Sequence, residues 1–172
     1  MQKQFNQPSH SSKIKKDEMK LTKETTQQVL RTSTLDLSEE EIRFIFHIFD
    51  FDLKEFQKEI GRIRFEVHHK VQYIARIELT STDMVFSNEW LNFGDGNEHG
   101  LAMPLPKCLG EILVMFVNVF SALIPPAQWI DNSALVRRNI FESEKEVEEY
   151  LDVARAAIAE IVKPYNKGKK VN

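Results

Sequence analysis

The stretch RIRFEVHHKVQYIARIELT, residues 62–80, decides the fold because apolar and polar residues alternate along it. Apolar side chains and His69 hold the odd positions, polar side chains hold the even positions, and Ile74 is the exception. A period of two is typical of antiparallel strands with one face in the core and the other in water. The stretch therefore predicts a sheet with two unlike faces.

The alternating segment 63–79 is longer than the usual strand of about five or six residues. We therefore consider both one long bent strand and a hairpin. A two-residue turn at 69–70 would bring opposite faces together, whereas a three-residue loop at 68–70 pairs Val67 with Val71 and keeps the apolar face intact. That loop contains no Gly, Asn or Asp, so the sequence leaves both arrangements open.

Three other segments show helical spacing, with apolar residues recurring every three or four positions. Ser38 and Ser143 each precede a glutamate by three residues, which is the capping-box pattern of a helix start. The predicted helices are residues 38–60, 107–123 and 143–163. The last of them is expected to end before Pro164. Residues 43–51 also alternate, so a strand there remains an alternative.

The order helix, strands, helix, helix predicts a single α+β domain rather than alternating βαβ units. We expect an antiparallel sheet of about three to five strands, packed on one face against two or three helices. This domain would span residues 35–165, between a mobile basic arm at 1–34 and a basic tail at 166–172. Within the arm, residues 20–30 could form a short helix when docked.

Charge is distributed unevenly along the chain. The first 34 residues hold seven Lys or Arg and three Asp or Glu, so their formal charge is +4, and −7 remains for the rest of a chain whose net charge is −3. This total does not imply a nucleic-acid or membrane partner. The apolar run 108–124 is about as long as a membrane span, yet it contains Glu111 and Asn118 and predicts a buried helix.

Nucleic acid is not the expected partner. Tyr73 is predicted on the opposite face from the strand arginines, so basic and aromatic groups do not interleave as a base-stacking surface requires. A single cysteine, Cys108, excludes an internal disulfide and a multi-cysteine zinc site. The first residues lack the apolar segment of a secretory signal. A reducing, cytoplasmic location is expected.

Candidate sites in the sequence are few, and we find no catalytic motif. His68 and His69 would point to opposite faces of a strand and could not chelate one metal. The loop around 94–100 places Asp95, Glu98 and His99 between glycines, where they are weak candidates for a metal or ligand. Asp50 and Asp52 could hold a cation only where they end a strand.

We predict a non-enzymatic cytoplasmic protein-interaction module, such as an adaptor, an inhibitor or an immunity-type binder, with another protein as partner and no cofactor. An acidic helix start at residues 142–149 could complement a basic partner. Large side chains outside the main apolar stripes are the usual anchors of an interface. The predicted partner-binding residues are Phe44, Ile48, Phe51, Trp90 and Trp129. The alternative is a small enzyme or a ligand- or metal-binding protein with a pocket near residues 94–100. The sequence is also compatible with a homo-oligomer.

Overall fold

The computed structural model describes residues 20–88, 99–120 and 132–170. Its centre is a five-stranded antiparallel sheet in which each strand pairs with its neighbours in the chain. The strands are β1 Phe51–Glu59, β2 Arg62–His69, β3 Gln72–Thr80, β4 Asp83–Asn88 and β5 His99–Pro104. The predicted α+β fold with an antiparallel sheet is confirmed.

Helices precede and follow the sheet. Those before it are α1 Lys23–Leu30, a 3₁₀ turn Thr34–Asp36 and α2 Glu39–Ile48, and those after it are α3 Leu109–Phe120, α4 Asn132–Arg137 and α5 Glu144–Lys170. A capping box between Ser38 and Glu41 starts α2, as predicted. No helix within the described ranges is both long enough and apolar enough to cross a membrane.

A cluster of aromatic rings joins the helices to the apolar face of the sheet. The ring of Phe116 on α3 lies 6.3 Å from Phe46 on α2, 5.3 Å from Phe51 on β1 and 5.9 Å from Phe86 on β4, all edge to face. This geometry is the favoured one for aromatic pairs. The buried core therefore lies between α2, α3 and the sheet.

Of the two arrangements left open for residues 63–79, the hairpin forms, and its turn is the two residues Lys70 and Val71, between the paired residues His69 and Gln72. The three-residue loop at 68–70 was therefore wrong. We considered that loop because it keeps the apolar face of the hairpin continuous. In the structure a β-bulge keeps this face continuous. Val67 pairs with Ala75 and His68 with Tyr73, which leaves Ile74 as the extra residue on β3.

The bulge also changes which face Tyr73 occupies. Ile74 and Ala75 are both buried, and Tyr73 lies beside His68 on the polar face, with ring centroids 5.6 Å apart. The prediction that Tyr73 points away from the strand arginines was wrong, because it carried the alternation through the bulge without interruption. The ring of Tyr73 thus lies among the charged side chains of the polar face.

The predicted helix 38–60 is half helix and half strand. It ends at Ile48, and Asp50 then adopts a left-handed backbone with φ 65°, which a continuing right-handed helix does not allow. In β1, Phe51 and Leu53 are buried and Asp52 is not, which is the alternation of a strand. The helical spacing of the apolar residues beyond Ile48 was therefore misleading.

Two other predicted boundaries were wrong. The loop that we expected around residues 94–100 gives way to β5 at His99, and Gly100 fits closely in this strand because a Cβ there would lie 2.7 Å from Val85 Cγ1. Helix α5 does not end before Pro164 but runs to Lys170, into the predicted tail. A proline removes one helical hydrogen bond, and at an exposed position the remaining bonds can carry the helix past it.

The second half of the predicted basic arm is packed on the domain. Leu30 of α1 is fully buried, and Lys20 Nζ lies 2.7 Å from Glu146 Oε2 on α5. The short docked helix that we considered is therefore present, and packing begins before the predicted boundary at residue 34. Residues 1–19 lie outside the described residues.

Candidate functional site

At one end of the sheet, the side chain of Arg138, the residue that follows α4, binds two aspartates at the start of β1. Its Nη1 donates a hydrogen bond to Asp50 Oδ1 at 3.2 Å, and its Nη2 donates to Asp52 Oδ1. The Nε2 atom of His47, near the end of α2, lies 3.1 Å from the same Asp52 oxygen. We call Arg138, Asp50, Asp52 and His47 the Arg138 cluster. It ties the end of α2 and the start of β1 to the residue after α4, which is more than 80 residues further along the chain.

Asp50 is the buried member of the cluster, with 1% of its side chain exposed. Burial raises the pKa of this carboxyl above its ordinary value, and the positive charges of Arg138 and Lys70 offset only part of that rise. Its Oδ2 atom is buried and has no hydrogen-bond partner within the described residues. Burying a carboxyl oxygen without a hydrogen bond lowers the stability of the fold, so other interactions of the folded chain must offset this cost.

Asp52 behaves in the opposite way. Burial alone would raise its pKa, but the hydrogen bond with His47 and the charge of Arg138 outweigh burial and lower the pKa to about 2. The contribution of Asp52 to stability is therefore present above its unfolded pKa and is lost as the pH falls from about 4 to about 2. The two carboxyls on one guanidinium thus respond to pH with opposite signs.

Backbone strain concentrates at the same end of the molecule. Among the described residues, five that are not glycine have positive φ. Four of them belong to or adjoin the Arg138 cluster and the neighbouring turn: Asp50 at 65°, Lys70 at 49°, Val71 at 63° and Asn139 at 62°. Such conformations cost on the order of 1–3 kcal/mol each and are most often found at functional sites.

Val71 is the least expected of these four residues. It is β-branched, a class that almost never adopts positive φ, and 93% of it is exposed. Together with Lys70 it forms the two-residue turn that we call the hairpin tip. Two-residue hairpin turns with positive φ at both positions favour Asn-Gly or Asp-Gly. Neither the backbone nor burial explains a valine here.

Replacing Val71 with asparagine is therefore expected to raise the free energy of unfolding by about 1 kcal/mol. Asparagine adopts the left-handed conformation far more readily, and no apolar packing is lost because the valine is exposed. Urea denaturation followed by circular dichroism measures the change. A loss of stability would mean that Val71 makes packing contacts in solution.

The two adjacent histidines occupy opposite faces, as predicted. His69 is buried on the apolar face, 5.5 Å between ring centroids from Phe51. His68 lies on the polar face, where its Nε2 is 3.1 Å from Glu66 Oε1. They do not form a joint site.

Three of the predicted partner-binding residues pack in the core rather than face solvent. Phe44, Ile48 and Phe51 are 2%, 0% and 1% exposed. Their side chains are therefore not available as surface anchors. The physical reason is that both α2 and the start of β1 are covered: Phe44 on α2 packs against Phe141 and Tyr150, and Phe51 on β1 packs against Phe116.

The other predicted site residues are not placed. Trp90, Trp129, Asp95 and Glu98 lie outside the described residues, as does the side chain of His99. The cation site suggested for Asp50 and Asp52 is not formed, because both carboxylates bind Arg138. Across residues 20–88, 99–120 and 132–170, no three His, Cys, Asp or Glu side chains are grouped so that they could hold a metal.

The acidic start of α5 is partly used within the chain. Glu146 forms an ion pair with Lys20, and Glu149 Oε1 lies 2.8 Å from Lys23 Nζ. These pairs hold α1 on α5, so this acidic run contributes less free negative charge to a basic partner than the sequence alone suggests.

Sequence reasoning missed Arg138 and the hairpin tip. Nothing in the local sequence marks Arg138 as the partner of two aspartates more than 80 residues away. The tip carries none of the usual turn residues. No protein family, curated protein or solved structure was found to match this chain. Function must therefore be argued from the geometry of these residues.

Proposed function

We propose that this protein is a non-enzymatic protein-interaction module of the cytoplasm, and that it contacts a protein partner with its hairpin tip. The observation that carries the proposal is Val71, an exposed β-branched residue in a left-handed conformation. An exposed apolar side chain and a strained backbone both lower the stability of the protein. A partner that buries the Val71 side chain would remove its apolar area from water, which favours binding. A single cysteine supports a reducing compartment.

The Arg138 cluster supports the proposal because it holds the base of the tip in place. Asp50 precedes Phe51, which pairs with His69, the last residue before the tip. Arg138 then fixes Asp50 and Asp52 from the side of α4. A contact residue on a rigid support loses little conformational freedom on binding, which favours affinity.

The chemistry of the tip indicates what kind of surface it fits. Val71 offers a compact apolar group and Lys70, which is also exposed, offers a positive charge beside it. A matching partner would present a small apolar pocket bordered by carboxylates. Such a combination of a desolvated apolar contact and a charged rim is typical of protein interfaces.

The test compares two hairpin tips of the same sheet. Ile60, between β1 and β2, is also a fully exposed aliphatic residue, so Ile60→Asn is a matched control for Val71→Asn. The tagged wild type and both variants are used to capture proteins from the native host, followed by quantitative mass spectrometry. We expect one protein at defined stoichiometry with the wild type and with Ile60→Asn.

With Val71→Asn, we expect capture of that protein to weaken about tenfold, which is the effect of losing one buried valine side chain of about 1.5 kcal/mol. Equal capture by all three proteins, or no protein captured at defined stoichiometry, would overturn the proposal. A circular dichroism spectrum of each variant excludes unfolding as the cause.

A further inference from the structure

A groove of about 160 Å³ opens in the polar face of the sheet. It is lined by Glu55, Gln57, Arg64, Phe65, Glu66 and Arg76. A β-bulge in β1 lies beside it: Lys54 pairs with Glu66, and the next paired residue is Gln57, opposite Arg64. Glu55 in the bulge has φ 55°, the fifth left-handed residue that is not glycine. Bulges redirect side chains and are frequent next to functional sites.

The positive charges in the groove lack carboxylate partners. The Nη2 atom of Arg64 donates to the neutral amide oxygen of Gln57, at 2.8 Å. Arg76 stands opposite Glu66 across β2 and β3, yet it forms no ion pair within the described residues. By contrast, Arg62 on the same face is paired with Glu78 at 2.9 Å. Two guanidinium groups are therefore left to bind an oxyanion.

The groove also holds negative charge that is not neutralised by arginine. Glu55 makes no ion pair within the described part of the chain, and there the ion pair of Glu66 is with the imidazole of His68. A simple anion would be repelled by these two carboxylates. A ligand that carries both charges would match both sets of groups.

We propose that this groove binds a small zwitterion with a carboxylate and an amino group, the class to which free amino acids belong. The carboxylate accepts hydrogen bonds from Arg64 and Arg76, and the ammonium group donates to Glu55. The groove is large enough for several water molecules, and therefore for a small amino acid. This inference is independent of the proposed function, which concerns the hairpin tip.

The experiment is a titration of the full chain, labelled with ¹⁵N, with glycine, alanine or serine at constant pH and ionic strength. Propionate and ethylamine serve as matched probes, since each carries one of the two charged groups of alanine. We expect saturable shifts in the backbone amides of residues 54–57 and 64–66 with the amino acids. Binding of propionate and of ethylamine is expected to be at least about tenfold weaker, because each loses one set of charged hydrogen bonds.

Three variants locate the site. Arg76→Gln is expected to weaken alanine binding about tenfold or more without weakening the binding of ethylamine, whereas Glu55→Gln is expected to weaken alanine binding without weakening that of propionate. Arg62→Gln, which removes a paired arginine from the same face, is the control and should bind alanine as the wild type does. Melting temperatures show whether each variant is folded.

Equal affinity for alanine and propionate would overturn the zwitterion assignment. No saturable shift with any of the three amino acids, or equal weakening by Arg62→Gln and Arg76→Gln, would overturn the site itself. Shifts confined to the hairpin tip would place amino-acid binding elsewhere and would equally contradict the inference.

Discussion

Replacing Phe116 with alanine is expected to lower the free energy of unfolding by about 3–5 kcal/mol. The Phe116 side chain is 1% exposed and its ring meets three other phenylalanine rings, from α2, β1 and β4. Its removal leaves a cavity that these three elements cannot close together, because the strands are fixed by their hydrogen bonds. Since domains of this size are stable by about 5–15 kcal/mol, the variant should be close to unfolding.

The measurement is the urea midpoint and slope, followed by tryptophan fluorescence and circular dichroism. Met115→Ala is the matched control, since this neighbour on α3 is 36% exposed and should cost less than about 1 kcal/mol. If the two variants lost similar free energy, the aromatic cluster would not be the centre of the core.

The second large effect concerns Arg138. Its replacement by methionine is expected to cost about 3 kcal/mol at pH 7, the lower end of the range for breaking a buried pair, because the guanidinium is itself partly exposed. The reason is that Asp50 would remain buried without the guanidinium that pairs with it, while Asp52 would keep His47.

The cost of Arg138→Met should shrink on acidification. Without the guanidinium the folded-state pKa of Asp50 rises further above its unfolded value, so the folded state binds a proton more readily and stability is lost as the pH rises. Urea denaturation at pH 7 and at pH 4.5 measures this difference, with Arg155→Met, an exposed position on α5, as control. A deficit of equal size at both pH values would show that Arg138 acts by packing rather than by charge.

The alternation in residues 62–80 predicted the sheet correctly, and even its exception had a structural meaning. Ile74 breaks the period because it is the extra residue of a bulge. The sequence alone could not tell a bulge from a loop, since both shift the pattern by one position. Consequently the faces of Ile63 and Ile77 were predicted correctly, while that of Tyr73 was not.

Other features were beyond local reasoning for physical reasons. Residues 51–60 satisfy a helical period by coincidence, and the left-handed Asp50 that ends the helix is held by Arg138, a tertiary contact. The groove depends on how a bulge in β1 displaces side chains relative to β2, which requires the register. Periodicity predicts which face a residue occupies, but ion pairs and grooves depend on which segments come together.

The five strands of the sheet pair in the order in which they occur in the chain, and this affects the order of folding during synthesis. Each strand pairs only with neighbours in the chain, so the complete sheet can form from local contacts once residue 104 has left the ribosome. Helices α3 and α5, which cover its apolar side or complete the core, are made afterwards, and α1 must wait for α5 because Tyr150 binds the Leu21 carbonyl. The nascent protein therefore passes through an interval in which α2 alone covers part of the apolar face of the sheet, and in this interval it is most prone to aggregate.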